Sequence, residues 1–118
     1  FHSPLMEPAA AGLAEALART PITDARIPIV ANVSGQPVRD AGEIQDALTR
    51  QLTAKVRWTD SMRYLLDAGY GQFVEVGPGK ALQGMLRQVD RAATSAGVDT
   101  PETLSAFVAS VGSGNLSL

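Results

Sequence analysis

The run Gln72-Phe73-Val74-Glu75-Val76 passes through Gly77-Pro78-Gly79 directly into a segment with apolar residues at Leu82, Met85, Leu86 and Val89. The first run, β-branched and aromatic and closed by turn formers, predicts a strand. The spacing i, i+3, i+4 and i+7 that follows predicts one face of a helix. A strand that turns tightly into a helix is half of a parallel crossover unit. This segment therefore commits the chain to α/β architecture with a mostly parallel sheet, whose faces must both be covered by helices.

The rest of the sequence supplies helices. Over 4–20, Met6, Ala10, Leu13 and Leu17 share one helical face. Ser3-Pro4 suits an N-cap and first helical position, and Thr20-Pro21 ends the pattern. The run 27–33, Ile-Pro-Ile-Val-Ala-Asn-Val, predicts a strand closed by a turn at Ser34-Gly35-Gln36-Pro37. Asp40 then caps a second helix, with Glu43 as capping-box partner and Ile44, Ala47, Leu48 and Leu52 as its apolar stripe. A third helix opens near Thr59, turns Met62, Leu65 and Leu66 inward and stops at Gly69. Between Ala92 and Asp99 the signal fades. Thr100-Pro101 starts a last helix with Leu104, Phe107, Val108 and Val111 on one face, and the chain from Gly112 reads as a frayed tail. The expected division is 1–91 as a catalytic-domain segment and 92–118 as a tail with a short helix. Two strands among five helices are too few for a self-sufficient sheet, which predicts a part of a larger domain and poor solubility when it stands alone.

Composition removes several function classes. Ten basic residues face twelve acidic ones, and aromatics make up 5%. That balance lacks both the basic face and the stacking rings of a nucleic-acid binder. There is no cysteine and one histidine, so cysteine-ligated metals, thiol nucleophiles and a multi-histidine metal site are all excluded. No stretch reads as a membrane span or a secretory signal, which predicts a cytoplasmic protein. The glycosylation-acceptor matches Asn32-Val33-Ser34 and Asn115-Leu116-Ser117 are then chance.

The turn Gly77-Pro78-Gly79-Lys80 stands where phosphate loops stand, but it fails their pattern. The glycine required five positions before the Gly-Lys pair is Val74, and Ala81 replaces the Ser or Thr after the lysine. A dinucleotide fingerprint fails as well, because its third glycine falls on Leu82. Gly77, Pro78 and Gly79 are therefore read as a structural turn, with at least one glycine at positive φ. His2 is the one side chain whose ordinary pKa lies near neutrality, and so the one ready general base, although a lone histidine is commonly a packed or surface residue. No serine sits in a Gly-x-Ser-x-Gly elbow.

Four blocks occur in order: Phe1-His2-Ser3-Pro4-Leu5-Met6; Pro28-Ile29-Val30-Ala31-Asn32-Val33; Arg50-Gln51-Leu52 with Val56-Arg57-Trp58; and Glu75-Val76-Gly77-Pro78-Gly79-Lys80. Their order and spacing resemble the C-terminal portion of malonyl-CoA:acyl carrier protein transacylases. The related acyltransferase domains of polyketide synthases share the pattern. The resemblance implies a split fold, the C-terminal part of an α/β-hydrolase-like core adjoining a ferredoxin-like insert that is largely absent here. It implies a seryl-enzyme that carries malonyl from coenzyme A to the phosphopantetheine thiol of an acyl carrier protein, with no cofactor and no metal.

By the same resemblance His2 is the base that activates the serine, and the backbone carbonyl of Gln51 orients it. A carbonyl accepting from Nδ1–H leaves Nε2 free to take the hydroxyl proton. From the residues alone, Gln51 is equally a polar residue at the edge of a helix stripe. Phe1, next to the histidine, matches the malonyl-selective form of the related acyltransferases. The serine, the arginine that binds the malonyl carboxylate and the main oxyanion donors belong to a missing N-terminal part of the same enzyme. The alternatives are an acyltransferase domain of a polyketide synthase and a non-catalytic α/β interaction module. The implied partners are malonyl-CoA, acyl carrier protein and that N-terminal part, with no nucleic acid and no membrane.

Overall fold

A computed structural model describes residues 1–112 of the chain; 113–118, which hold the end of the expected tail and the Asn115-Leu116-Ser117 match, lie outside the described residues. The chain divides into two compact units, Phe1–Tyr64 and Leu65–Leu118.

The first unit opens with a single 3-10 turn, Pro4–Met6, that leads into helix α1, Glu7–Arg19. Ser3 is extended ahead of it, but its side chain makes no capping bond. Met6, Ala10, Leu13 and Leu17 are half-buried, as their spacing predicts. Thr20 leaves the helix at φ −94 and ψ 121, the extended conformation forced on a residue before proline.

The strand expected over 27–33 contracts to β1, Ile29–Val30. The cause lies in the turn that follows. Ala31 O accepts from both Ser34 N and Gly35 N, which folds the chain back so that β2, Pro37–Val38, pairs antiparallel with β1. Pro37 hides a strand in what reads as a turn, because proline is tolerated where its missing N–H is not needed by the ladder. Gly35 closes this hairpin with φ +66, buried against the chain at Asp60: a Cβ there would lie 2.9 Å from Asp60 Cβ.

Helix α2, Ala41–Arg50, is capped as its sequence predicts, with Asp40 Oδ1 accepting from Gly42 N at 2.8 Å and Glu43 N at 3.1 Å. The Ala41 amide goes to a second carboxylate, Asp24, at 2.9 Å. Ile44 and Ala47 are buried, and Leu48 and Leu52 are half-buried. Helix α3, Trp58–Asp67, buries Met62 and stops at Gly69. There φ is +91, and the amides of Gly69 and Tyr70 close on Leu66 O and Leu65 O in a Schellman cap.

In the second unit β3, Gln72–Val76, has the bounds its sequence predicts. It pairs in parallel with β4, Thr94–Val98, from Gln72↔Thr94 to Val76↔Val98. Helix α4, Ala81–Val89, connects them. The small parallel sheet expected from the βα signature is therefore present, though its second strand lies in the stretch where the sequence signal fades. Thr94-Ser95-Ala96-Gly97 carries no large apolar residue, and at Gly97 the reason is packing. Gln83 of α4 lies over Gly97, where a Cβ would meet Gln83 Nε2 at 2.9 Å.

This contact adds Gln83 to the inward side of α4. Gln83 and Leu86 are buried at 6% and 2% exposure, whereas Leu82 and Met85 are exposed. The last helix is α5, Pro101–Gly112. Thr100 and Thr103 cap it reciprocally, each backbone N–H bonding the other's hydroxyl at 2.9 and 3.2 Å. Phe107 is half-buried, while Leu104, Val108 and Val111 are exposed.

Candidate active site

His2 lies just ahead of the first turn with φ +57, a left-handed backbone conformation rare for a residue with a side chain. Holding it there costs about 1–3 kcal/mol. The bend carries the half-buried imidazole to the end of α2, where Nδ1 lies 2.7 Å from Gln51 O. Gln51 is the C-cap residue of that helix, at φ −64 and ψ −22. Its N–H still bonds Ala47 O at 3.0 Å, but its carbonyl belongs to the last turn, whose oxygens have no partner within the helix. A carbonyl can only accept, so the ring nitrogen facing it carries the proton. In the neutral ring this arrangement leaves the lone pair on the other nitrogen, Nε2.

The Gln51 side chain is engaged separately. Its Oε1 accepts from Asn32 Nδ2 at 3.2 Å. Asn32 and Gln51 are the polar members of an otherwise apolar cleft of about 340 Å³, walled by Val30, Ala31, Ile44 and Ala47. Phe1, the expected substrate selector, is 93% exposed.

The turn residues fall in the second unit. Gly77 has φ +134 and Gly79 φ +92, with open space where each Cβ would be, so the demand for glycine here is conformational rather than steric. Gly77 N–H extends the sheet by bonding Val98 O at 3.0 Å. The N-terminus of α4 is already occupied: the Glu75 carboxylate accepts from Leu82 N at 3.1 Å and Gln83 N at 3.2 Å. A phosphate loop leaves that position for its ligand, so this turn shapes the chain and holds no phosphate.

Desolvation pushes the Glu75 carboxyl upward, and the hydrogen bonds from the Leu82 and Gln83 amides outweigh it, leaving the group below its ordinary value of 4.5. A carboxyl depressed in the folded state adds stability that is full above the ordinary value and disappears as pH falls through the folded one. Thermal midpoints of the wild type and Glu75→Gln, followed from neutral pH down to about pH 3, should therefore differ most at neutrality and converge in acid. A gap that stays constant or widens in acid would remove the argument.

No family model matches the chain. Individual relatives do. It is 39% identical over 104 residues to the malonyl CoA-acyl carrier protein transacylase of Bacillus subtilis, an alignment that takes in 88% of this chain and 33% of the relative.

The chain is homologous to malonyl-CoA:acyl carrier protein transacylases.

Solved structures of the same family agree. The acyl-carrier-protein S-malonyltransferase of Bartonella henselae superposes with a TM-score of 0.85 at 34% identity, over 95% of this chain and 36% of that one. A malonyl-transacylase solved in complex with a type II polyketide synthase acyl-carrier protein superposes with a TM-score of 0.80 at 35% identity, over 92% and 35%. The chain thus spans about a third of the length of the transacylases it matches.

Of the residues named from the sequence, the structure brings His2 and Gln51 together and sets Gly77, Pro78 and Gly79 in a separate turn. Asn32 was not singled out. Its signal was present, since it is the one polar side chain inside the apolar run 29–33. Among the described residues, no group of three or more His, Asp or Glu side chains could hold a metal ion, and no helix is long and apolar enough to cross a membrane.

Proposed function

We propose that these residues supply the histidine half of a seryl-acyltransfer centre that moves malonyl from coenzyme A to the phosphopantetheine thiol of an acyl carrier protein in the cytoplasm. The observation that carries this reading is the 2.7 Å approach of His2 Nδ1 to Gln51 O, which in the neutral imidazole puts the proton on Nδ1 and the lone pair on Nε2. The serine, the arginine for the malonyl carboxylate and the oxyanion donors come from polypeptide N-terminal to Phe1. The present fold forms the C-terminal part of a hydrolase-like core beside a ferredoxin-like insert.

In the first half-reaction Nε2 takes the serine proton while the serine oxygen bonds the malonyl carbonyl carbon. The carbon–sulfur bond then breaks, and the imidazolium returns its proton to the departing coenzyme A thiolate. The second half-reaction reverses these steps, with the pantetheine thiol as nucleophile. The protein that carries these residues, given radiolabelled malonyl-CoA, should acquire an ester-linked malonyl group and pass it to holo acyl carrier protein. Absence of a labelled serine ester would refute the reading. The transacylase solved with a polyketide carrier protein favours polyketide acyl carrier proteins as a second acceptor, to be tested in the same assay.

Phe1 precedes the base and acts in this reading as the malonyl selector, its ring filling space that a 2-methyl group needs. Phe1→Ser should raise methylmalonyl transfer relative to malonyl by about tenfold, since one methyl in a pocket is worth about 1–3 kcal/mol. Competition between the two coenzyme A esters measures the ratio. An unchanged ratio would leave Phe1 without a selective role.

A further inference from the structure

We propose that Asn32 is a positioning residue for the base, holding the side chain of Gln51 so that the Gln51 carbonyl stays on His2 Nδ1. The inference rests on the acyltransfer reading above.

Gln51 has two jobs at one position. Its backbone oxygen meets the imidazole at 2.7 Å, and its side-chain Oε1 meets Asn32 Nδ2 at 3.2 Å. A C-cap residue has no following helical turn to fix its carbonyl, and helix ends fray. The side-chain bond supplies the missing restraint.

Asn32 itself stands on a rigid support. Its backbone oxygen accepts from Arg57 N at 2.8 Å, which ties it to the chain entering α3. Its neighbour Ala31 is buried and takes three backbone bonds: its N–H goes to Gln36 O, and its O accepts from Ser34 N and Gly35 N. The hairpin, the end of α2 and the start of α3 thus converge on one asparagine. Leu or Ala at this place would preserve the apolar character of the run and lose the link. An amide side chain is what the geometry uses, because Gln51 Oε1 requires a donor.

The test is made in the complete enzyme with Asn32→Ala, Gln51→Ala and the double variant. Gln51→Ala keeps the backbone carbonyl and removes the side-chain anchor alone. Each single variant should lower kcat roughly tenfold with KM unchanged, given that ångström-scale misplacement of a reacting group can cost up to a hundredfold. The double variant should be no slower than either single one, because both remove the same restraint. Nitrogen-15 NMR of the His2 ring adds a readout that general destabilisation does not move: the Nδ1–H tautomer should lose population in folded Asn32→Ala. Losses that multiply in the double variant, or a wild-type tautomer ratio and kcat in Asn32→Ala, would overturn the proposal. If Asn32→Ala fails to fold, Gln51→Ala with its own NMR spectrum decides the matter. A wild-type enzyme that transfers no malonyl would sink the acyltransfer reading alone, and the tautomer ratios would still judge Asn32.

Discussion

Replacing His2 with asparagine in the complete enzyme should, on the acyltransfer reading, lower malonyl transfer by about a thousandfold, within the range of 10²–10⁴ that general acid–base groups contribute. Asparagine is the informative replacement. The His2 backbone is left-handed at φ +57, a conformation that asparagine adopts more readily than most residues, so the variant removes the base without adding backbone strain. Alanine at the same position should fall further in stability for that reason and at least as far in rate. The measurement is kcat/KM for transfer to the carrier protein, with the thermal midpoint as the control. A loss smaller than about tenfold in a folded His2→Asn protein would mean that another group takes the serine proton.

The largest expected loss of stability comes from Gly35→Ala. Two costs coincide there. A side chain must adopt φ +66, and its Cβ would lie 2.9 Å from Asp60 Cβ, where the neighbour is the root of a side chain and has little room to yield. Backbone strain and overpacking together should cost about 3 kcal/mol. Gly69→Ala is the matched control, because Gly69 also has positive φ, at +91, but faces open space. It should cost about 1 kcal/mol, the conformational part alone. Denaturant unfolding of the two variants separates clash from strain. Equal losses would show that the Asp60 contact contributes nothing.

How much of this molecule could be read from its sequence depended on where the information was local. The strand 72–76 and the caps at Asp40 and Gly69 are written in consecutive residues, and each formed where the sequence puts it. Helices α4 and α5 form where their spacing puts them, and Leu82, Met85, Leu104, Val108 and Val111 are exposed on them, the unpartnered faces expected of part of a larger domain. What the spacing does not show is that α4 turns Gln83 inward beside Leu86, with Gly97 making room for it from another element. Strand β4 escaped for a related reason, since its glycine, Gly97, makes sense only against Gln83. Likewise β2 was hidden by Pro37, which reads as a turn until its partner Val30 is known. At the candidate site His2 and Gln51 were named through family resemblance, as a separation of 49 residues carries no periodic signal. The hydrogen bond between Asn32 and Gln51 is longer-range information still, two side chains meeting across 19 residues of chain.

The way His2 is held has a consequence for the order in which the molecule comes apart. The chain closes on itself over 23 residues where Thr94 meets Gly71, and over 49 where His2 meets Gln51. Doubling a loop adds only about 0.6 kcal/mol of closure entropy, so length does not separate the two. What separates them is the fastening. Strands β3 and β4 are joined along a ladder from Gln72↔Thr94 to Val76↔Val98, whereas the imidazole is latched by a side-chain bond at a strained residue. The latch should therefore open before the ladder melts. Heating should then release His2 while most of the secondary structure is still in place, so that on the acyltransfer reading activity should be lost at a lower temperature than the fold.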